Sequence, residues 1–145
     1  MEGRFVFPAA IKRDEDGFFL VSFRDLPEAH TDGKSAEEAM TGAADCLEEA
    51  IAGRIVRGAT VPHPSRARRG DRLVAVPPVM AAKAALHLAL KEAGTTKLAL
   101  ARRLGIDQKD MRRLCNPAHH SKIGAIADAL RALGKALVVD VRDAA

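Results

Sequence analysis

The chain has no tryptophan and no tyrosine, and its five aromatic side chains are all phenylalanine. A core built from it must rest on Leu, Ile, Val and Ala, and an apolar content of 48% over 145 residues is enough for that. Cysteine is scarce. Cys46 and Cys115 stand far apart with no second pair, which supports neither a disulfide framework nor a zinc motif. No apolar run approaches the roughly 18 residues of a membrane span, because charged residues interrupt every stretch. The opening MEGRFVFPAAIKRDEDG lacks the long apolar segment of a secretion signal. These absences lead us to expect a cytoplasmic protein of one domain or two small ones, without metal or cofactor.

What charge there is divides unevenly. Residues 1–76 hold 11 Lys and Arg against 13 Asp and Glu, a balance of −2. Residues 77–145 hold 12 against 6, a balance of +6. An acidic module joined to a basic one suits two partners: nucleic acid for the second half, and a cationic or neutral surface for the first.

The chain is organised around KLALARRLGIDQKDMRRLC, Lys97 to Cys115. Leu100, Ala101 and Leu104 share one face at helical spacing, Gly105 breaks the pattern, and Met111 and Leu114 resume it three residues apart. A helix-turn-helix needs this arrangement. The tight turn favours a residue that accepts positive φ, and a small side chain at Ala101 lets the second helix pack close. With Met111 and Leu114 turned inward, Gln108, Lys109, Arg112 and Arg113 point outward, a mostly cationic face for a major groove. The bland alternative is a helical hairpin whose arginines merely solvate its outer face. Asp107 reads as an N-cap, and Asp110, which repels phosphate, is placed to pair with Arg113 at i+3.

Around that stretch the elements fall in order. Residues 4–12 read as a strand with Phe5, Phe7, Ala9 and Ile11 alternating, and Pro8 argues for a sheet edge or a bulge. Asp14-Glu15-Asp16-Gly17 signals a hairpin turn into a second strand, Phe18 to Phe23. A short third strand is possible at Ala29-His30-Thr31. Ser35 and Glu38 form a capping box for a helix with Ala36, Met40, Ala43, Leu47, Ala50 and Ile51 as its apolar stripe, fading near Gly53 and ending by Gly58. After an extended Pro-rich passage, Leu73 to Val76 is a last strand. The first half is thus β-β-(β)-α-β. Pro77-Pro78 separates domains 1–76 and 79–145. In the second, Val79 to Ala93 is a helix with Met80, Ala84, Leu88 and Leu90 inward, and Thr95 or Thr96 caps the next. Ser121 is expected to cap a helix from Lys122 to Leu133. KALVVDV, Lys135 to Val141, reads as a strand that must find a partner; pairing with the same strand of a second copy would give a homodimer or higher homo-oligomer suited to two-fold DNA sites.

The segment DEDGFFLVSFRDLPEAHTDGKSAEEA carries a recognisable set: Gly17 in the hairpin, Asp25-Leu26-Pro27, Thr31, Gly33, Ser35 and Glu37-Glu38-Ala39. On these residues, roughly 4–76 resembles the HicB antitoxins of bacterial toxin–antitoxin pairs. It departs at Phe18, where Tyr is frequent, and at Glu28, where a small residue is. The second half looks like the Cro/repressor-type DNA-binding domain. The resemblance implies an α+β chain, its N-terminal domain a truncated ribonuclease H-like sheet with one packed helix that docks on a HicA-type toxin ribonuclease. It implies that docking covers the toxin's catalytic histidine, and that an all-α helix-turn-helix domain with a C-terminal strand binds operator double-stranded DNA and represses its own operon. Asp16, Phe18, Asp25 and Glu28 would lie at the toxin surface. Lys97, at the helix-start position of the repressor motif, and Lys122 would contact phosphate. Gln108, Lys109, Arg112 and Arg113 occupy positions that reach base edges or backbone, Gln suiting adenine and Arg guanine.

Two rivals remain. A one-component transcriptional regulator would use its first domain to sense a small molecule. A residual ribonuclease H-like nuclease would draw on Asp14, Glu15, Asp16, Asp32 and Asp45, since two-metal sites are carboxylate clusters; three of these sit in a hairpin turn, where acids are favoured without metal. His119-His120 point apart and have no ligand partner at suitable spacing. The expectation is of a non-enzyme with no catalytic residues.

Overall fold

A computed structural model describes residues 3–143. The elements run β1 (Val6–Arg13), β2 (Phe19–Ser22), β3 (His30–Gly33), α1 (Ala36–Val56), β4 (Arg72–Ala75), α2 (Pro78–Ala93), α3 (Lys97–Leu104), α4 (Gln108–Cys115) and α5 (Ile123–Ala132). This is an α+β chain whose residue contacts separate two compact units. One extends to Gly53 and takes up Pro62–Pro77; the other comprises Arg54–Val61 and Pro78–Asp143.

In the first unit the four strands form an antiparallel sheet in the order β3-β2-β1-β4. Pairing of Ile11 with Val21, Val21 with Thr31 and Phe7 with Val74 gathers the apolar side chains on one face. Phe7, Ala9, Val21 and Val74 are buried there. α1 lies against that face. An added Cβ on Gly33 would sit 2.5 Å from the Ala39 backbone nitrogen, and one on Gly42 would meet the Thr31 side chain at 3.4 Å. The Ser35 hydroxyl accepts the Glu38 amide at 3.1 Å and the Glu38 carboxylate accepts the Lys34 amide at 2.8 Å, so the expected box forms, shifted by one residue at its second bond.

Three expectations need correction here. Pro8 is not on an edge strand, because β1 is flanked by both β2 and β4. The Phe5 carbonyl accepts from Val76, so by alternation Pro8 aims away from β4, and on that side the β2 ladder ends at the Ala10–Ser22 pair. The missing donor falls where there is nothing to donate to. The helix stripe is Ala39, Ala43, Leu47, Ala50, Ile51 and Ile55, with Ala36 and Met40 half-buried. The close approach at Gly33 admits an alanine and turns Met40 to the flank. Gly53 does not interrupt α1, which continues to Val56 and stops at Gly58, where φ is 68°.

The connection from α1 to β4 is secured by a polar cluster. The Arg24 guanidinium donates to Asp71 at 2.5 Å and to the Ser65 hydroxyl at 3.1 Å, while Asp71 also accepts the Arg68 amide. The hydrogen bond from Arg24 holds the Asp71 carboxyl below the ordinary carboxylate range despite its partial burial. A depressed folded value gives stability that is present above the unfolded carboxylate pKa, about 3.9, and is lost as pH falls through the folded value. Asp71→Asn should therefore lower the Tm by a few degrees at neutral pH. That gap should narrow as pH falls through the depressed Asp71 value, where the folded wild type also loses the charge; a gap that persists unchanged down an acid titration would remove this role for the pair.

The second unit is helical. Leu86, Leu100, Met111 and Ile126, each at most 1% exposed, form its core with Ala82, Ala101, Ala129 and Leu130. Full burial of a side chain of this size contributes roughly 1.5–3 kcal/mol. On α2, Met80, Ala84 and Leu90 are buried as expected, but Leu88 is only half-buried and Leu86 takes the inward place. The turn at Gly58-Ala59, which follows Val56, is held by His87, whose Nε2–H donates to the Ala59 carbonyl at 2.7 Å, and by Lys91 on the Gly58 carbonyl. Lys135 to Val141 forms no strand among the described residues, and Val138, Val139 and Val141 are 70–90% exposed. A strand needs a ladder partner, and none of the described residues pairs with this segment.

Candidate functional site

The α3–α4 pair is built by local chemistry. The Thr96 hydroxyl accepts the Ala99 amide at the start of α3. At its end Gly105 adopts φ 68° and ψ 29°, a left-handed geometry that glycine enters without steric cost. The amides of Gly105 and Ile106 then close on carbonyls of Arg102 and Ala101. Asp107 starts α4, its carboxylate accepting the Asp110 amide at 2.8 Å. Met111 and Leu114 are buried, which leaves Gln108, Lys109, Arg112 and Arg113 exposed along the other side. Arg113 lies 3.7 Å from Asp110, a loose surface pair worth little in stability.

Lys97 is exposed at the first position of α3. Lys122 is also exposed and is itself the cap residue of α5, making no side-chain cap bond. Ser121, expected to cap this helix, does not: its hydroxyl accepts from the Lys83 ammonium at 2.9 Å. Both thiols are pushed above their ordinary pKa by burial, and at Cys115 the charges of Lys97 and Lys83 draw it partly back. Neither favours the reactive thiolate.

In the first unit, Asp14 spends its carboxylate on the hairpin, accepting the amides of Asp16 and Phe18 at 2.9 and 2.8 Å. Among the described residues no three His, Cys, Asp or Glu side chains gather as a metal site. Asp16 is exposed on the turn, Phe18 is 38% exposed beside it, and Glu28 is exposed after Leu26-Pro27. Asp25 is different. Its carboxylate accepts both the amide and the hydroxyl of Ser65 at 3.0 Å, so it anchors a loop. On the sheet face away from α1, Lys12, Leu20, Ser22, His30 and Asp32 line a groove of ≈ 570 Å³, with Leu20 42% exposed. This face lies along β2, between Phe18 at one end and Glu28 at the other.

Comparison with known proteins gives these surfaces a context. Residues 6–85 match the model of a family described as HicB-like antitoxin of bacterial toxin–antitoxin system. The chain belongs to the HicB-like antitoxins. It is 34% identical to Antitoxin HicB of Pseudomonas fluorescens (strain Pf0-1) over 99% of its own length and all of that protein. It is 36% identical to Antitoxin HicB of Escherichia coli (strain K12), covering 90% of this chain and 95% of the other. Antitoxin HicB 2 of Photorhabdus laumondii is 37% identical over 90% of this chain and 92% of its own. Membership of the HicB-like family carries an antitoxin role, regulatory rather than catalytic, with a toxin as partner. Among the described residues no helix is long and apolar enough to cross a membrane.

Nothing in the sequence pointed to Lys83. It lies on an alanine-rich helix among positions that read as an ordinary amphipathic surface, yet it is 1% exposed. Its partners stand 30 to 38 residues away, and all are oxygen atoms of the backbone or a hydroxyl.

Proposed function

We propose that this antitoxin occludes a HicA-type mRNA-cleaving toxin through domain 1–76 and represses its own operon through a Cro/repressor-type helix-turn-helix in residues 79–145. The observation that carries this reading is the exposed row Gln108, Lys109, Arg112 and Arg113 on a short helix pinned by Met111 and Leu114, in a chain of an antitoxin family. Such a helix has the dimensions and charge to enter a major groove, with Lys97 and Lys122 beside it for phosphates. Domain 1–76 is read as a truncated ribonuclease H-like fold. Its toxin surface is placed on the hairpin and the outer side of β2, where Asp16, Phe18 and Glu28 flank the groove and could meet a basic protein. Asp25 acts there through the loop it anchors. The site of action is the cytoplasm, and the exposed valines of Lys135–Val141 are assigned to pairing with a second copy.

One experiment tests both ends. A tagged chain co-expressed with the product of the adjacent gene should retain a small basic protein through purification. Light scattering on the eluted complex should give a mass containing at least two antitoxin chains. A chain that elutes alone and monomeric at micromolar concentration defeats the proposal.

A further inference from the structure

Among the described residues Lys83 is the most deeply buried charged residue, 1% exposed, and its ammonium is held by carbonyl and hydroxyl oxygens, not by a carboxylate. Its three N–H groups serve four oxygen atoms, the carbonyls of Asn116 and His119, each at 2.7 Å, the Ser121 hydroxyl at 2.9 Å and, sharing a hydrogen, the Arg113 carbonyl at 3.2 Å. Arg113 and Asn116 stand at the C-terminal end of α4, the negative pole of the helix, where their carbonyls also accept the amides of Asn116 and His119. His119 and Ser121 lie in the connection to α5. A single cation on α2 therefore fastens the end of α4 and both limbs of the turn that follows it.

Burying an ammonium costs far more than burying a methionine in the same place. The core does not need it: Leu86, Leu100, Met111 and Ile126 already fill the interior. What the cation adds is direction. α4 has eight residues and two buried anchors, Met111 and Leu114, and apolar contacts are non-directional, so they resist rotation about the helix axis weakly. Four oxygen atoms converging on one nitrogen fix the helix end in position and in roll. Burial lowers the pKa of Lys83, which records the cost of keeping a charge there.

We propose that Lys83 is a positioning residue for the DNA-reading surface, setting the roll of α4 and the path of Asn116–Ser121 so that Gln108, Arg112 and Lys122 reach a duplex together. The proposal rests on the helix-turn-helix reading above. It assigns a role in sequence discrimination to a side chain that touches no DNA.

The test uses the full-length protein, the duplex upstream of its own gene, and a scrambled duplex of equal length. Lys83→Met should retain the helical signal yet bind the promoter duplex about tenfold more weakly, the scale of one lost charged hydrogen-bond cluster. Binding to the scrambled duplex at low salt should change by less than about twofold, because the exposed cations remain. In the free protein the amides of Asn116 and His119, bonded to Arg113 and Asn116 carbonyls, should exchange at least about tenfold faster while those of α2 hold. Equal losses on both duplexes, or an unchanged promoter affinity, would overturn the proposal. If K83M does not fold, Ser121→Ala keeps the ammonium and three of its partners. It should cost about threefold on the promoter duplex alone, and no loss there overturns the inference too. A wild-type protein that shows no preference for the promoter duplex sinks the helix-turn-helix reading itself, an outcome visible before any variant is compared.

Discussion

Replacing Arg112 and Arg113 together by alanine should weaken binding to the promoter duplex by roughly 10²-fold, taking each as a base-edge or phosphate contact at the low end of its range. Both side chains are exposed on α4, and Arg113 pairs only loosely with Asp110, at 3.7 Å. Removing them should therefore leave stability within about 0.5 kcal/mol of the wild type, so the loss reads as recognition and not unfolding. The slope of log affinity against log salt should become shallower by up to about 2, since each phosphate contact releases close to one counterion. A titration over a series of salt concentrations separates the two kinds of contact. A shallower slope with affinity lost on every sequence marks phosphate contacts, whereas loss confined to the promoter sequence marks base readout. Unchanged affinity would show that α4 does not face the groove.

The largest effect on folding is expected at Gly33. A methyl group there would stand 2.5 Å from the Ala39 nitrogen and 2.9 Å from its Cα, and these are backbone atoms of α1 that no rotamer change can clear. Gly33→Ala must push the first turn of α1 off the sheet, carrying the Ser35–Glu38 cap with it. A cost of about 2–3 kcal/mol follows from overpacking of this kind. Gly42 supplies the contrast. Its added methyl would meet the Thr31 side chain at 3.4 Å, an ordinary contact, and alanine is the better helix former by up to about 1 kcal/mol. Gly42→Ala should be neutral or stabilising. Denaturant melts of the two variants should move in opposite directions from wild type; melts that move together would mean α1 is not seated on β3 as described.

These contrasts show where sequence reading works and where it fails. α3 and α4 were legible because each boundary is set by a residue acting on its immediate neighbours: Thr96 on Ala99, Gly105 in its left-handed turn, Asp107 on Asp110. The hairpin at Asp14–Gly17 and the cap at Ser35 were legible for the same reason. What escaped depends on atoms distant in the chain. Ser121 looked like a cap, but Lys83 claims its hydroxyl from α2. Pro8 looked like an edge residue because periodicity cannot say where a neighbouring strand stops. The α1 stripe differed because Ala39, not Met40, fits over Gly33. Lys135–Val141 has strand composition and no strand partner among the described residues. The exposed cations of α4 followed directly from the positions of Met111 and Leu114, whereas Asp25 is occupied by a serine 40 residues further on, which no local pattern reveals.

The order of strands also bears on how the protein is made. β1 draws one neighbour, β2, from the next few residues, and the other, β4, from Arg72–Ala75. While a ribosome is still adding residues before Arg72, the half of β1 holding Phe7 has no ladder partner on either side. Contacts this distant along the chain close slowly, so the emerging sheet spends that interval with a sticky seam open. Synthesis rate and early helpers at the tunnel exit therefore bear on the yield of this unit more than on its final stability.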